Sequence, residues 1–332
     1  MNPLSTSNLV EVLAPIWQRV LQLPSVGVDD NFFDLGGDSA LALELFHEVA
    51  LACGRELPPV MIYHAPTIAA LAAVLEQPAT ARVPPLVQLK MGGEEPPVFI
   101  AHGLGGSALD FYQIVNRFPE SRPVYGMQAK GIDGVEEPLE SVEEMARYAL
   151  DAVQQIQPHG PYCLIGFSLG GLMVLEMAQQ LSAKGERIEL LALLDSYPHV
   201  RLLSWTQRAR IWARRTWRNA ARRLQWLGVS PPYQTTLEVP PSPSQRRFRD
   251  VSYLALEGYE PRFYPGKMNF VRAAISTQFP ADAAAVWSHL VREFEVKTVP
   301  GDHLGIMTTH YEGLADAISD YLRGTPLPGN RE

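Results

Sequence analysis

Residues Tyr162 to Phe167 form an apolar run that passes without a break into Ser168-Leu169-Gly170-Gly171 and then into an amphipathic stretch, Leu172 to Leu181. A run that is apolar at every position, and not only at alternate ones, suits a strand buried on both faces. Such burial requires helices above and below a parallel sheet. The pattern recurs. Val98 to Ala101, Val124 to Gln128, Leu190 to Leu194, Met268 to Ala273 and Phe294 to Val299 read as strands, and Val142 to Ile156 and Tyr311 to Leu322 as helices. The expected architecture is therefore α/β with a mostly parallel sheet and no internal repeat. At 332 residues, 46% of them hydrophobic and 19% charged, the chain can bury such a core and still hold a second, smaller domain.

Gly166-Phe167-Ser168-Leu169-Gly170 fits the G-x-S-x-G pattern at a strand-to-helix turn. There a strained turn flanked by glycines lifts a serine hydroxyl above the sheet edge. A serine is a poor nucleophile at neutral pH; it needs a base, and the base needs an acid to fix its tautomer. Such folds place these groups in the order Ser, Asp or Glu, His. Asp195 follows the strand Leu190 to Leu194, at the carboxyl end where catalytic groups gather. His303, in Pro300-Gly301-Asp302-His303-Leu304 after the last strand, is the expected base, whereas His289 and His310 read as surface or packing histidines. Asp302 competes for the acid role, but adjacent side chains seldom point the same way, so it reads as a loop anchor. The oxyanion of a tetrahedral intermediate calls for two backbone N–H donors. Leu169 supplies one, and Leu104, with Gly103 as the alternative, supplies the other from the loop Ala101-His102-Gly103-Leu104-Gly105-Gly106. His102 precedes the serine and is expected to shape that loop. The residues alone thus point to acyl transfer by a serine nucleophile.

The region ahead of the sheet differs in character. Leu9, Val12, Leu13, Ile16, Trp17, Val20 and Leu21 recur at helical spacing, with Pro15 expected to delay or kink the helix. A second helix should open near Ser39, after Gly36-Gly37, with Asp38 or Ser39 as cap, and Thr67 should cap a helix over Ile68 to Leu75. At that position Ser39 would sit beside a positive helix end suited to a phosphate. Between Gln77 and Pro97 the chain turns to Pro84-Pro85 and Gly92-Gly93-Glu94-Glu95-Pro96-Pro97 and reads as a linker over 78–97. About 20 such residues span roughly 60 Å when extended or about 25 Å as a coil, enough for the bundle to dock on its neighbour and also visit another protein.

The run Asp29-Asp30-Asn31-Phe32-Phe33-Asp34-Leu35-Gly36-Gly37-Asp38-Ser39 resembles the core of the peptidyl carrier domains of nonribosomal peptide synthetases. In that family the matching serine receives a phosphopantetheine arm. The stretch from about Pro85 to Leu322 resembles the type I thioesterases that close such assembly lines. The likeness is carried by the loop at His102 to Gly106, the elbow at Ser168, Asp195, and Gly301-Asp302-His303. The resemblance implies a small all-α four-helix carrier bundle (1–77), then an α/β-hydrolase domain (98–324) with a helical lid insertion. It implies a 4′-phosphopantetheine on Ser39, a phosphopantetheinyl transferase and upstream synthetase domains as partners, and transfer of an acyl or peptidyl group to Ser168. Release would follow by hydrolysis, cyclisation or condensation. One position departs from the family: Ala40 follows Ser39 where leucine or isoleucine is usual, which implies slower or choosier loading by the transferase.

About 70 residues separate Asp195 from Met268, far more than the ~4–6 that join most elements, so a functional insertion is expected, a lid over about 198–260. Within it Trp205, Trp212, Trp217 and Trp226 interleave with Arg201, Arg208, Arg210, Arg214, Arg215, Arg218, Arg222 and Arg223, and no acid occurs from Ser196 to Leu237. Either this is a lid helix with a solvated basic face, or its arginines receive the phosphate of the arm or an acidic face of the carrier domain while its tryptophans line an acyl channel. The net charge of −8 argues against general nucleic-acid binding. No run approaches the ~18 apolar residues of a membrane helix, Met1 to Val10 lacks the marks of a signal peptide, and no metal site is expected. Cys53 and Cys163 each sit in an apolar stretch, so no disulfide is expected, and a cytoplasmic location fits. Two other readings stand beside the synthetase one: a free-standing serine esterase or lipase whose bundle only binds a partner, and a carrier shuttle with a hydrolase-like scaffold.

Overall fold

A computed structural model of the chain describes residues 6–77, 83–119, 121–209, 212–213, 243–276, 279–280 and 282–324. The N-terminal unit contains α1 (Thr6–Leu21), α2 (Ser39–Cys53), a 3-10 segment (Pro59–Tyr63) and α3 (Ile68–Glu76). It buries Leu9, Leu13, Ile16 and Trp17 of α1 against Leu45 and Val49 of α2 and Ile68 and Leu71 of α3. Two sequence expectations change here. α1 starts well before Pro15, at Thr6, and continues through it. The proline lies on the exposed side, and burial of the opposite apolar face outweighs the ~3 kcal/mol that an interior proline costs. The fourth helix of the expected bundle is only a five-residue 3-10 segment, because Pro58-Pro59 at one end and Pro66 just beyond the other leave no room for a second turn. Asp38, not Ser39, caps α2: its Oδ1 accepts the Leu41 N–H at 2.9 Å. Thr67 caps α3 as expected, accepting from the Ala70 N–H at 3.1 Å.

The larger unit is a seven-stranded sheet in the order β1-β3-β2-β4-β5-β6-β7. Its strands are β1 (Leu86–Lys90), β2 (Val98–Ala101), β3 (Val124–Met127), β4 (Tyr162–Phe167), β5 (Ile188–Leu194), β6 (Tyr264–Ala273) and β7 (Val291–Val299). All neighbours pair in parallel except β1, which lies antiparallel on β3. β1 corrects the reading of 78–97 as a linker. Prolines and glycines on either side hide a short alternating strand, whose Val87 and Leu89 point inward while Gln88 faces out. The remaining helices are α4 (Tyr112–Val115), α5 (Val142–Ile156), α6 (Leu169–Ala183), α7 (Pro243–Gly258), α8 (Ala284–Trp287) and α9 (Tyr311–Arg323). β4 is buried at every position and α6 at nearly every one, so the strand-turn-helix that carries Ser168 lies at the centre of the molecule. Both cysteines are free thiols.

Of the insertion after β5, residues 205–209 and 212–213 are helical and α7 forms its return. Trp217, Trp226, Arg210, Arg214, Arg215, Arg218, Arg222 and Arg223 lie outside the described residues, and the readings that rest on them go with them. The return is anchored on α6. The buried Glu176 carboxylate accepts both bonds of a two-pronged contact from Arg262, at 3.0 and 3.1 Å, and one from the Tyr259 hydroxyl at 3.1 Å.

Beneath the opposite, amino-terminal end of the sheet, the buried guanidinium of Arg122 pairs with Glu95 at 2.8 Å and with the equally buried Glu189 at 3.3 Å, and it also donates to the Pro96 carbonyl. It thereby ties the entries to β2, β3 and β5 together. Removing one partner of such a buried pair leaves the other charge uncompensated. Arg122→Ala is therefore expected to lower the unfolding free energy by about 3–5 kcal/mol, read as a fall in the urea midpoint at unchanged slope.

Candidate active site

Ser168 sits at the junction of β4 and α6 with φ 54° and ψ −117°, a left-handed conformation that a residue with a side chain rarely adopts. The surroundings enforce it. A methyl group on Gly166 would lie 2.1 Å from the Gly170 carbonyl oxygen, and one on Gly170 would lie 2.3 Å from that of Ala101. Only glycine allows the helix to start this close to the two central strands. The turn is further braced by Ser196, whose hydroxyl donates to the Ser168 carbonyl at 2.6 Å, while the Trp287 indole donates to the Ser196 carbonyl at 3.1 Å.

The structure brings three of the predicted residues into one hydrogen-bonded line. Asp195 follows β5, itself at positive φ (44°), and its backbone N–H donates to the Val271 carbonyl at 2.7 Å. Its Oδ1 accepts the Ala273 N–H at 3.1 Å, and its Oδ2 lies 2.9 Å from His303 Nδ1. His303 Nε2 lies 3.1 Å from Ser168 Oγ. With a carboxylate accepting from Nδ1–H, Nε2 is left as the acceptor that faces the serine hydroxyl. The carboxylate is buried, with the aspartate side chain 5% exposed, while the histidine, 15% exposed, and the serine lie partly open to solvent. Asp302 is a turn anchor: its Oδ1 accepts the Gly305 N–H at 2.8 Å. His289 and His310 are exposed.

Two aromatic rings hold the imidazole and were missed in the sequence. Phe167 stacks on His303 at 4.7 Å and 22°, and Phe279 approaches it at 4.7 Å and 60°. Tyr197 in turn stacks on Phe279 at 5.2 Å. Flat aromatic faces on two sides fix the plane of the ring. Phe167 occupies a variable position of the G-x-S-x-G motif and could have been suspected for that reason; Phe279 sits in a loop that carries no pattern.

The loop after β2 runs against the nucleophile. A methyl on Gly103 would stand 3.5 Å from Ser168 Cβ, so the backbone of Gly103 and Leu104 borders the space in front of the serine. Leu169, as the first residue of α6, has an N–H with no intrahelical carbonyl to receive it. His102 is buried, its Nδ1 lies 2.8 Å from the Gly103 carbonyl, and its ring meets Phe248 of α7 edge-on at 5.6 Å. Gly106 (φ 75°) packs so closely on Phe248 that a methyl there would approach the ring to 2.7 Å. The return helix of the insertion thus rests directly on the loop. Among the described residues no group of three or more His, Cys, Asp or Glu could hold a metal ion, and no helix is long and apolar enough to cross a membrane.

A mostly parallel sheet with a serine at the β4–α6 turn, an acid after β5 and a histidine after β7 is the arrangement of the α/β-hydrolases. Comparison with known proteins narrows this. Residues 96–251 match the thioesterase domain family and residues 11–75 the phosphopantetheine attachment site family. Residues 11–75 are thus a carrier domain, of the kind that bears a covalent 4′-phosphopantetheine, and residues 96–251 lie in a thioesterase domain, a pairing similar to what nonribosomal peptide synthetases contain. It is 40% identical over 190 residues to a dimodular nonribosomal peptide synthase of Bacillus subtilis (strain 168), covering 57% of this chain and 8% of that protein. It is 38% identical over 179 residues to indigoidine synthase of Dickeya dadantii (strain 3937), covering 54% and 12%. The chain thus spans only a small fraction of these relatives. Its fold is similar to that of a four-domain nonribosomal peptide synthetase in holo form, with TM-score 0.59, 24% identity, and coverage of 96% of this chain and 26% of that one. It is also similar to the NocB thioesterase domain, with TM-score 0.53, 24% identity, and coverage of 69% and 96%.

Burial of His102 makes folding stability depend on pH. Desolvation lowers its pKa from 6.5 to about 4, outweighing the hydrogen bonds that favour the charged form. The unfolded chain therefore binds this proton more readily, and the stability contributed by the neutral ring is present above pH ~6.5 and lost as pH falls through about 4. The expected loss is about 3 kcal/mol. Denaturant titrations between pH 7 and 4 should show His102→Gln losing less stability on acidification than the unaltered chain.

Proposed function

We propose that this chain holds an acyl or peptidyl group as a thioester on a 4′-phosphopantetheine arm at Ser39 and releases it through an ester on Ser168. The hydrogen-bonded line from Asp195 through His303 to Ser168 is the observation that carries the second half. The first half is supported by the family match over 11–75 and by the position of Ser39 at the head of α2. The surroundings of that position fit the arm: the adjoining Ala40 is exposed, and at Gly36 an added methyl would meet nothing within 4 Å. Ser39 opens a 15-residue helix, whose N-terminal backbone N–H groups would favour a phosphodiester attached there. When attached, the arm supplies an activated thioester on a tether.

The residues of the chain then perform ordinary acyl transfer. Ser168 Oγ attacks the acyl carbonyl while its proton passes to His303 Nε2, and Asp195 holds the imidazole in place and offsets the charge it acquires. The N–H groups of Leu169 and Leu104 receive the developing oxyanion. Collapse expels the sulfur, which takes the proton from His303, and leaves the acyl group on Ser168. Water, or a nucleophile within the acyl chain, attacks that ester; its proton passes to His303 and on to Ser168 Oγ as the product departs. The serine, histidine and aspartate are the proposed catalytic residues, and the insertion after β5 is the proposed lid, with α7 as its described wall. Upstream synthetase domains and a phosphopantetheinyl transferase are the proposed partners.

Incubation with coenzyme A and a broad-specificity transferase is expected to add one phosphopantetheinyl mass increment confined to Ser39, absent in Ser39→Ala. Hydrolysis of a small free thioester should survive Ser39→Ala and fall by roughly 10³-fold or more in Ser168→Ala. A folded protein that takes no increment would instead be a serine esterase with a helical appendage.

A further inference from the structure

Where the two domains join, three aromatic residues drawn from distant parts of the chain meet. Phe33 lies in the loop before Ser39, Tyr63 ends the 3-10 segment, and Tyr112 opens α4, a few residues beyond the loop of His102 to Gly106. Phe33 stacks on Tyr112 at 4.9 Å and 23°, and Tyr63 lies against both, at 5.1 Å from Phe33 and 6.2 Å from Tyr112. Edge contacts continue inward from Phe33 to Phe32 at 5.5 Å and from Phe32 to Trp17 at 5.4 Å, so the contact is rooted in the core of the carrier domain. Burial holds the Tyr112 phenol above its ordinary pKa; a hydrogen bond with Asn116 opposes this in part, and the carboxylates of Asp38 and Asp34 add a smaller upward push. Phe33 precedes Ser39 by six residues and Tyr112 follows Gly106 by six, so the ring contact joins the segment leading into the attachment helix to the segment leading out of the loop of His102 to Gly106.

Other features of the junction suit release as well as docking. All three rings are only half-buried. The Tyr63 hydroxyl is buried with no hydrogen-bond partner among the described residues, a penalty that solvent relieves on separation. Beside it an open cleft of about 410 Å³ is lined by Tyr63, His64, Gln88, Met91 and Tyr125, so water reaches the edge of the junction although buried apolar residues of the two domains form one cluster behind it. Partly polar junctions of this kind are typical of domains that move relative to each other.

We propose that Phe33, Tyr63 and Tyr112 form a releasable clasp by which the thioesterase domain receives its own carrier domain, holding the head of α2 beside the oxyanion loop during transfer. The proposal rests on the carrier and thioesterase reading above. Tyr112 acts by position; it is not a member of the hydrogen-bonded line and touches no reacting atom. The clasp therefore favours acyl groups borne on the tethered arm and is indifferent to the same acyl group on a small free thiol.

The test uses the full chain, loaded on its arm from an acyl-coenzyme A by the transferase, with loading verified by mass. Single-turnover release of the arm-borne acyl group is compared with hydrolysis of a small free thioester of that acid. Tyr112→Ala and Phe33→Leu are expected to slow release from the arm by roughly three- to tenfold, the size of one aromatic pair, with free-thioester hydrolysis unchanged. Tyr112→Phe, which keeps the ring, should match the unaltered chain. Should Tyr112→Ala not fold, Tyr112→Leu serves in its place. Equal slowing of both reactions, or of neither, overturns the clasp. An unaltered chain that cannot be loaded, or cannot release from its arm, overturns the carrier reading itself and the clasp with it.

Discussion

The close approach of α6 to the central strands is the constraint on which the rest of this molecule depends. Glycines at 166 and 170 let the helix begin within contact of β2 and β4, and the chain pays for the turn with a left-handed Ser168. That strain is supported by buried packing on every side, with β4 and α6 inside the core and Ser196 and Trp287 bonded beneath the turn. Strained residues persist only where their surroundings over-determine them. Here the result is a serine hydroxyl held above the sheet edge, with the first N–H of a helix beside it.

A parallel sheet does the remaining work of assembly. Because β2, β4, β5 and β7 all point the same way, the loops at their carboxyl ends converge, and residues more than a hundred positions apart come within hydrogen-bond distance. Two histidines in this region have opposite fates for physical reasons. His102 is sealed beneath Phe248 and kept neutral by desolvation, which fits it to shape a loop. His303 sits between Phe167 and Phe279 with a carboxylate on one nitrogen and a hydroxyl on the other, which fits it to take and return a proton.

Much of this was legible from residue patterns because it follows from local rules. The apolar run of β4 followed by G-x-S-x-G specifies strand, turn and helix together, and chain order then singles out Asp195 and His303. What escaped the sequence depends on packing between distant segments. β1 was hidden by prolines and glycines on both sides, although Val87 and Leu89 alternate correctly. Phe279, Ser196 and the contact of Phe33 with Tyr112 leave no local mark, since each is defined only by what it meets across the fold. α1 passes through Pro15 because tertiary burial outweighs a local preference.

The central claim is that one chain hands an acyl group from Ser39 to Ser168. It is tested most directly by rapid-quench peptide mass spectrometry of the full chain with a single acyl equivalent on its arm. The account predicts that acyl on the Ser39 peptide decays as acyl appears on the Ser168 peptide, and that free product follows only after the second species has formed. Loss of acyl from Ser39 at the same rate in Ser168→Ala, with no acyl ever found on Ser168 of the unaltered chain, would contradict it.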